Sequence, residues 1–226
     1  MPPYTTKNCF GLDESHVVFS EAFNTWLSPR TLFALEKLHR RACAEGFDLA
    51  VISGFRSFSR QMKIWNSKAE GQRPVLNDDG EPIHLAQLAP TERMLAILRW
   101  SALPGTSRHH WGSDFDVYDK NAMPSDYKIQ LTPEECTADG VFGRFHQWLD
   151  EELKADADFF RPYARDQGGV ACEPWHLSFR PLAEEFESLF DVKALAETIE
   201  NQPLALKDQI LRDLPLIVER FVRIRY

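Results

Sequence analysis

The stretch Ser107-Arg108-His109-His110-Trp111-Gly112-Ser113-Asp114-Phe115-Asp116-Val117-Tyr118 decides how the rest of the chain is read. From Asp114 to Tyr118 polar and apolar residues alternate, the period of a half-buried β-strand. Ahead of that strand, ten residues from Ser107 to Asp116 hold two histidines and two acids. Gly112 permits a bend that brings His109 and Asp116 toward one point. A divalent metal bound through nitrogen and oxygen needs neutral imidazoles and a carboxylate, with one position left open in a catalytic site. A surface loop that happens to carry two His and two Asp fits the same letters, so the segment alone leaves both readings open.

Toward the N-terminus, Ser28-Pro29 reads as a helix start, a Ser cap followed by Pro in the first turn. Leu32, Leu35, Leu38 and Ala42 recur at near-helical spacing, and Gly46 is a stop. Phe47 to Ile52 is predicted to be a strand with its apolar end buried, closed by Ser53-Gly54. A second helix is expected from near Ser57 to about Glu70, then a long loop from Pro74 to Pro90 containing the turn Asn77-Asp78-Asp79-Gly80. Thr91 to Trp100 reads as helix, broken by Pro104-Gly105.

Toward the C-terminus, Thr132-Pro133-Glu134-Glu135 has the capping-box pattern and Val141 to Lys154 reads as helix. Phe159 to Tyr163 and Trp175 to Phe179 are short strand candidates. After Pro181 the chain reads as helical, with Asp213-Leu214-Pro215 restarting a helix. This order predicts an α+β fold, a small, mostly antiparallel sheet with surrounding helices and a helical C-terminal tail. No repeat or low-complexity linker divides the chain, so one domain over 1–226 is expected. Its motif-bearing part spans about 27–181, and an extension over 182–226 packs on the core.

The formal net charge of −8 argues against general nucleic-acid binding, which relies on Lys and Arg at phosphates. It also argues against an anionic membrane surface, although Arg56, Arg60 and Lys63 form a local basic cluster. Cys9, Cys43, Cys136 and Cys172 form no CxxC pair, which disfavours a thiolate zinc site or a thioredoxin-like redox site. No stretch approaches the ~20 apolar residues that span a bilayer. The N-terminus lacks a basic region followed by an apolar run, so a cytoplasmic, monomeric protein is expected.

Two further segments carry chemistry. Glu173-Pro174-Trp175-His176 offers a carboxylate near a third histidine, the base that a metal-dependent hydrolase needs. In an extended strand residues three apart face opposite sides, so Glu173 and His176 converge only if Pro174 bends the chain. The alternative is a Trp-His core pair beside a surface Glu. In Ser53-Gly54-Phe55-Arg56-Ser57, Arg56 either polarises a scissile carbonyl or starts a helix in solvent.

Ser-Gly-Phe-Arg-Ser, then Ser-x-His-x-x-Gly-x-x-x-Asp, then Glu-x-Trp-His resembles, in content and order, the VanY-type D-alanyl-D-alanine carboxypeptidases. These belong to the lysostaphin and hedgehog-like zinc fold, and the resemblance covers roughly Leu27 to Pro181. It implies one zinc ion on His109, Asp116 and His176, Glu173 as general base and Arg56 as the carbonyl-polarising residue. It also implies substrate contacts at Ser107 and Gln61, and a peptidoglycan-derived peptide substrate cut next to a D-amino acid. A D,D-dipeptidase with the Pro74–Pro90 loop as a lid over the amino end, an L,D-endopeptidase, and a non-catalytic hedgehog-like zinc-binding module remain alternatives. Asp114 departs from the family, which often has Ala there, and is either an acid holding a ligand histidine or an exposed residue. His110 is expected to support the site or line the cleft, or else to be exposed. Structural places are expected for His16, His39, His84 and His146.

Overall fold

In the computed structural model, which describes residues 4–78 and 80–223, two neighbouring strands with opposite faces set the architecture. The chain runs through α1 (Thr6–Cys9), the hairpin β1 (Val18–Ser20) and β2 (Thr25–Leu27), α2 (Pro29–Ala44), β3 (Leu49–Ser53) and α3 (Phe58–Ala69). It continues through α4 (Pro90–Trp100), β4 (Asp114–Asp119), α5 (Pro133–Cys136), α6 (Gly143–Ala155), β5 (Phe159–Phe160) and β6 (His176–Phe179). The tail consists of α7 (Arg180–Leu189), α8 (Val192–Glu200) and α9 (Lys207–Ile217), followed by a π-helical turn at Val218–Val222. Strands order as β3-β4-β6-β5, antiparallel throughout, with helices around them. This is the α+β arrangement that the sequence predicts.

Central strands β4 and β6 pair Asp114 with Ser178, Phe115 with Leu177 and Asp116 with His176. Because side chains alternate, Phe115, Val117, Leu177 and Phe179 point to one face and are buried in the apolar core. Asp114, Asp116, His176 and Ser178 point to the other, and they too are buried. Removing the Phe115 ring from the first face would cost about 3–5 kcal/mol by the usual scale for a core phenylalanine. The second face is polar and therefore needs partners or a ligand.

Helix α2 starts at Pro29 and buries Leu35, Leu38 and Ala42, as the spacing predicts. On α3 the Ser57 hydroxyl caps Arg60, and Phe58, Gln61 and Trp65 are buried at helical spacing. The tail joins the same apolar cluster through Leu195, Ile199, Ile210, Leu214 and Ile217. Trp65 Nε1–H donates to Ala205 O at 2.9 Å, and Asn66 Nδ2–H donates to Pro203 O at 2.9 Å, tying the tail to α3. At its far end the π-helical turn leans on the loop before β6, where Arg220 Nε–H donates to Gly168 O. A side chain at Gly169 would collide with the Arg220 carbonyl.

Three expectations need correction. Strand β3 begins at Leu49 rather than Phe47, and Ile52 is 41% exposed instead of buried. A bulge between Val51 and Ser53 takes Ile52 out of the ladder and lets Ser53 pair with Asp116. The strand expected over Phe159–Tyr163 is only two residues long. Pro215 lies inside α9 rather than at a restart, and the lost N–H precedes a switch to π-helical bonding. The turn at Asn77–Gly80 includes Asp79, outside the described residues, and it closes through Gly80 N–H to Asn77 O at 3.1 Å. The four cysteines are free. Among the described residues no helix is long and apolar enough to cross a membrane.

Candidate active site

Pairing Asp116 with His176 across the two central strands brings their side chains together on the polar face. His109 arrives from a single 3-10 turn, Arg108–Trp111, which ends at Gly112 with φ +66°. A Cβ at Gly112 would stand 2.6 Å from Val17 Cγ1 and 3.0 Å from Ser28 N, so both the bend and the close approach require glycine. His109 Nδ1–H donates to Gly54 O at 2.9 Å, which leaves Nε2 facing Asp116 Oδ2 at 3.6 Å. His176 Nε2–H donates to Asp114 Oδ1 at 3.0 Å, which leaves Nδ1 facing Asp116 Oδ1 at 3.2 Å.

Asp116 Oδ1 and His176 Nδ1 are buried and have no hydrogen-bond partner. Orphaned buried polar atoms are costly, and a cation between them removes the cost. Ligand atoms of His109, Asp116 and His176 all lie within 4.8 Å of one another. Tetrahedral zinc with bonds near 2.0–2.2 Å sets ligand atoms about 3.3–3.6 Å apart, close to the two shorter separations here. The donor set of two nitrogens and one carboxylate, with the second ring nitrogen of each histidine already used, fits zinc.

Burial pushes the His109 imidazole down to about 3, against the pull of Asp116, so the ring is neutral as a ligand must be. For His176 burial also favours the neutral ring, but the hydrogen bond to Asp114 and the negative charge of Asp116 facing Nδ1 outweigh it and raise the group to about 10. A cation at the shared centre would take the place of that proton.

Glu173 sits in the turn before β6, where His176 N–H donates to Glu173 O at 3.1 Å. This is the bend that Pro174 was expected to supply, and it places Glu173 Oε2 3.5 Å from His176 Nδ1. Burial raises the Glu173 carboxyl to about 7, while His176 pulls it down and Asp116 pushes it up. A carboxyl poised near neutrality results, the range that general-base chemistry requires.

Arg56 is fixed by Gln61 Oε1 at 2.8 Å and Ser53 Oγ at 3.1 Å, and its N–H donates to His109 O at 3.1 Å. Gln61, expected to touch substrate, is 0% exposed, and its Nε2–H is used on Ala102 O at 2.6 Å. It braces Arg56 from behind. His110 is fully buried: Nδ1–H donates to Arg56 O, and Nε2 accepts from Gly105 N–H at 3.1 Å. Of the two places considered for His110, the structure gives it the supporting one. His16, His39 and His146 bond within the protein, to His110 O, Leu49 O and Arg161 respectively, and His84 is exposed.

Asp114 is 0% exposed and holds His176, which resolves the choice between an orienting acid and an exposed one. Arg108 pairs with it at 2.8 Å, and Ser113 and Ser178 donate to its other oxygen. Arg108 also pairs with Glu187 at 2.6 Å and stacks 4.5 Å over the Trp111 ring. Sequence reasoning missed Arg108, although its place six residues before Asp114 inside the motif was a usable signal. It also missed Tyr163, whose ring lies 5.0 Å from that of His176, and no local pattern marks that residue.

The His109, Asp116 and His176 side chains open onto a cleft of about 610 Å³, in the ordinary range for small-ligand sites. Arg56, Ser107, His109, Asp116, Glu173 and His176 line it. Its walls include residues of the 74–80 and 130–134 segments and the end of α3. Arg99 spans two of the flanking loops, donating to Asp78 at 2.8 Å and to Asp166 at 2.6 Å.

With this geometry in view, the chain compares with known proteins as follows. A Haemophilus influenzae protein of uncharacterized function is 30% identical over 122 residues, 53% of this chain and 92% of that one. A second from the same organism is 40% identical over 102 residues, 44% and 70% of the respective chains. Among solved structures, VanYB in complex with D-alanine-D-alanine aligns with a TM-score of 0.52 at 20% identity, over 86% of this chain and 87% of that one. A mutant of the vancomycin resistance D,D-pentapeptidase VanY in complex with Zn(II) aligns with a TM-score of 0.51 at 20% identity, over 88% and 92%. At that identity the two structures speak for the fold. Residues 24–182 match the VanY family, described as D-alanyl-D-alanine carboxypeptidase, and by that match the chain belongs to the VanY family.

Proposed function

We propose that this chain is a zinc-dependent D,D-carboxypeptidase that hydrolyses the terminal peptide bond next to a D-amino acid in peptidoglycan stem peptides. The observation that carries the reading is the pair of orphaned atoms, Asp116 Oδ1 and His176 Nδ1, with Glu173 beside them in a cleft. A purely structural metal site has no use for a buried carboxyl raised to about 7. The family match and the Zn(II) and D-alanine-D-alanine complexes of the structural neighbours support the same direction.

His109, Asp116 and His176 would hold the ion. When bound, zinc would supply Lewis acidity toward the scissile carbonyl and the attacking water. Glu173 takes the water proton on a carboxylate oxygen and passes it to the leaving amine. Arg56, fixed by Ser53 and Gln61, aims its guanidinium at the carbonyl oxygen as negative charge develops there. Ser107 lines the cleft and is placed to hydrogen-bond the substrate backbone. Gln61 acts through Arg56.

The deciding experiment is metal analysis combined with D-alanine release from pentapeptide, tripeptide and free dipeptide substrates. Zinc at one per chain with D-alanine released from the pentapeptide is expected. A preference for free dipeptide would make the enzyme a dipeptidase, and zinc binding with no cleavage of any D-amino acid peptide would refute the reading.

A further inference from the structure

The cleft holds a basic side chain that the chemistry above does not use. Lys68 lies in the last turn of α3 and lines the cleft. Seven residues separate it from Gln61, about 10 Å along the helix axis, and its side chain slants back toward the N-terminal end of α3. Burial drives the Lys68 ammonium down to about 8, while Glu173 favours and Arg56 disfavours its charge. Both reacting groups are therefore within its electrostatic reach.

Other cations lining the cleft are already neutralised or anchored. Arg108 is paired with Asp114 and Glu187, and Arg56 is held by Gln61 and Ser53. Lys68 Nζ donates only to Ser101 Oγ, at 2.7 Å, and among the described residues no carboxylate lies within ion-pair distance. An ammonium has three donors, so two remain for something in the cleft. A half-buried cation with a neutral partner is costly unless a counter-ion joins it.

We infer that Lys68 and Ser101 form a carboxylate-binding subsite, which selects peptides presenting a free carboxylate near the scissile bond. The inference rests on the peptidase reading above. Two carboxylates share this chemistry: the terminal one of the leaving D-residue, and a side-chain carboxylate of the residue upstream. A hydroxyl beside the ammonium suits either, since Ser101 Oγ can turn its own hydrogen to a second oxygen.

The test uses the zinc-loaded full chain and three matched peptides: the parent with both carboxylates free, its C-terminal amide and its upstream side-chain amide. With Lys68 present, one amidation should lower kcat/KM by about tenfold or more, the scale of losing one charge-assisted contact. Lys68→Met should bring that acid-to-amide ratio to near one, acting mainly on KM, and Lys68→Arg should restore most of it. The amide on which discrimination disappears names the carboxylate that is read. A folded, zinc-replete Lys68→Met protein that keeps both ratios overturns the subsite. If that variant does not fold, Ser101→Ala serves, with a reduced ratio expected and an unchanged one overturning. A turnover-independent arm separates this inference from the peptidase reading. N-acetyl-D-alanine should bind the Lys68 protein about tenfold more tightly than its amide, and equal binding would refute a terminal-carboxylate subsite even if cleavage occurs.

Discussion

Asp114 and Asp116 are two residues apart on one face of β4, both are buried, and they differ in whether the fold satisfies them. Asp114 receives Arg108, Ser113, Ser178 and His176, and its carboxyl is held far below the usual range: burial works against the charge, but Arg108 outweighs it. Asp116 is likewise held down, against its burial, by His109 and His176, yet its Oδ1 meets no donor. A protein that satisfies one buried acid four times over and leaves its neighbour short is reserving the neighbour for a ligand. Asp114 is scaffold and Asp116 is the proposed ligand, although the sequence writes both as the same letter on the same strand.

The contrast is most strongly challenged by removing a ligand. His176→Ala should lose zinc on dialysis and drop D-alanine release to background, and stoichiometric metal in that variant would break the assignment. Next in size, Glu173→Gln should keep its zinc and lose about 10²–10⁴-fold in kcat, and a zinc-loaded variant with near-normal turnover would remove Glu173 from the chemistry. Third, Asp114→Asn should weaken zinc about 10–100-fold through His176 and cost up to about 3–5 kcal/mol by stranding Arg108. Asp116→Asn, measured by thermal melting of metal-free protein, should cost less, because Asp116 faces only the two histidines and holds no buried guanidinium. Equal melting losses for the two would erase the distinction. The smallest effect is on pH. Glu173 must be ionised to accept a proton, and a bound cation lowers its pKa, so the acid limb of kcat/KM should fall below about 7. Activity would be lost as pH drops through that limb, and the limb should vanish in Glu173→Gln.

Much of this arrangement was legible because it is local. The alternation Asp114-Phe115-Asp116 places both acids on one face, and Gly112 marks the left-handed bend that delivers His109. What escaped was tertiary. Gln61 reads as a polar helix residue free for substrate, but α3 packs its amide between Arg56 and Ala102. Ile52 reads as core, but a bulge that no local pattern announces turns it out. Pro215 reads as a helix start because its cost is set by context, and here the chain absorbs it in a π-helical turn. Lys68 and Tyr163 carry no spacing at all, and only folding brings them to the same cleft.

The contact between Arg220 and the Gly168–Gly169 loop has a practical consequence for dissecting this protein. The family match stops at residue 182, so a truncation drawn at that border would keep the three proposed metal ligands, the proposed base Glu173 and Arg56. It would discard the prop behind the loop that delivers Glu173, together with the strap that Ala205 lays across Trp65. It would also strip Phe186, Leu195, Ile199 and Ile210 from the core and Glu187 from Arg108, so such a shortened protein should melt well below the full chain, a lock with every pin present and its casing removed.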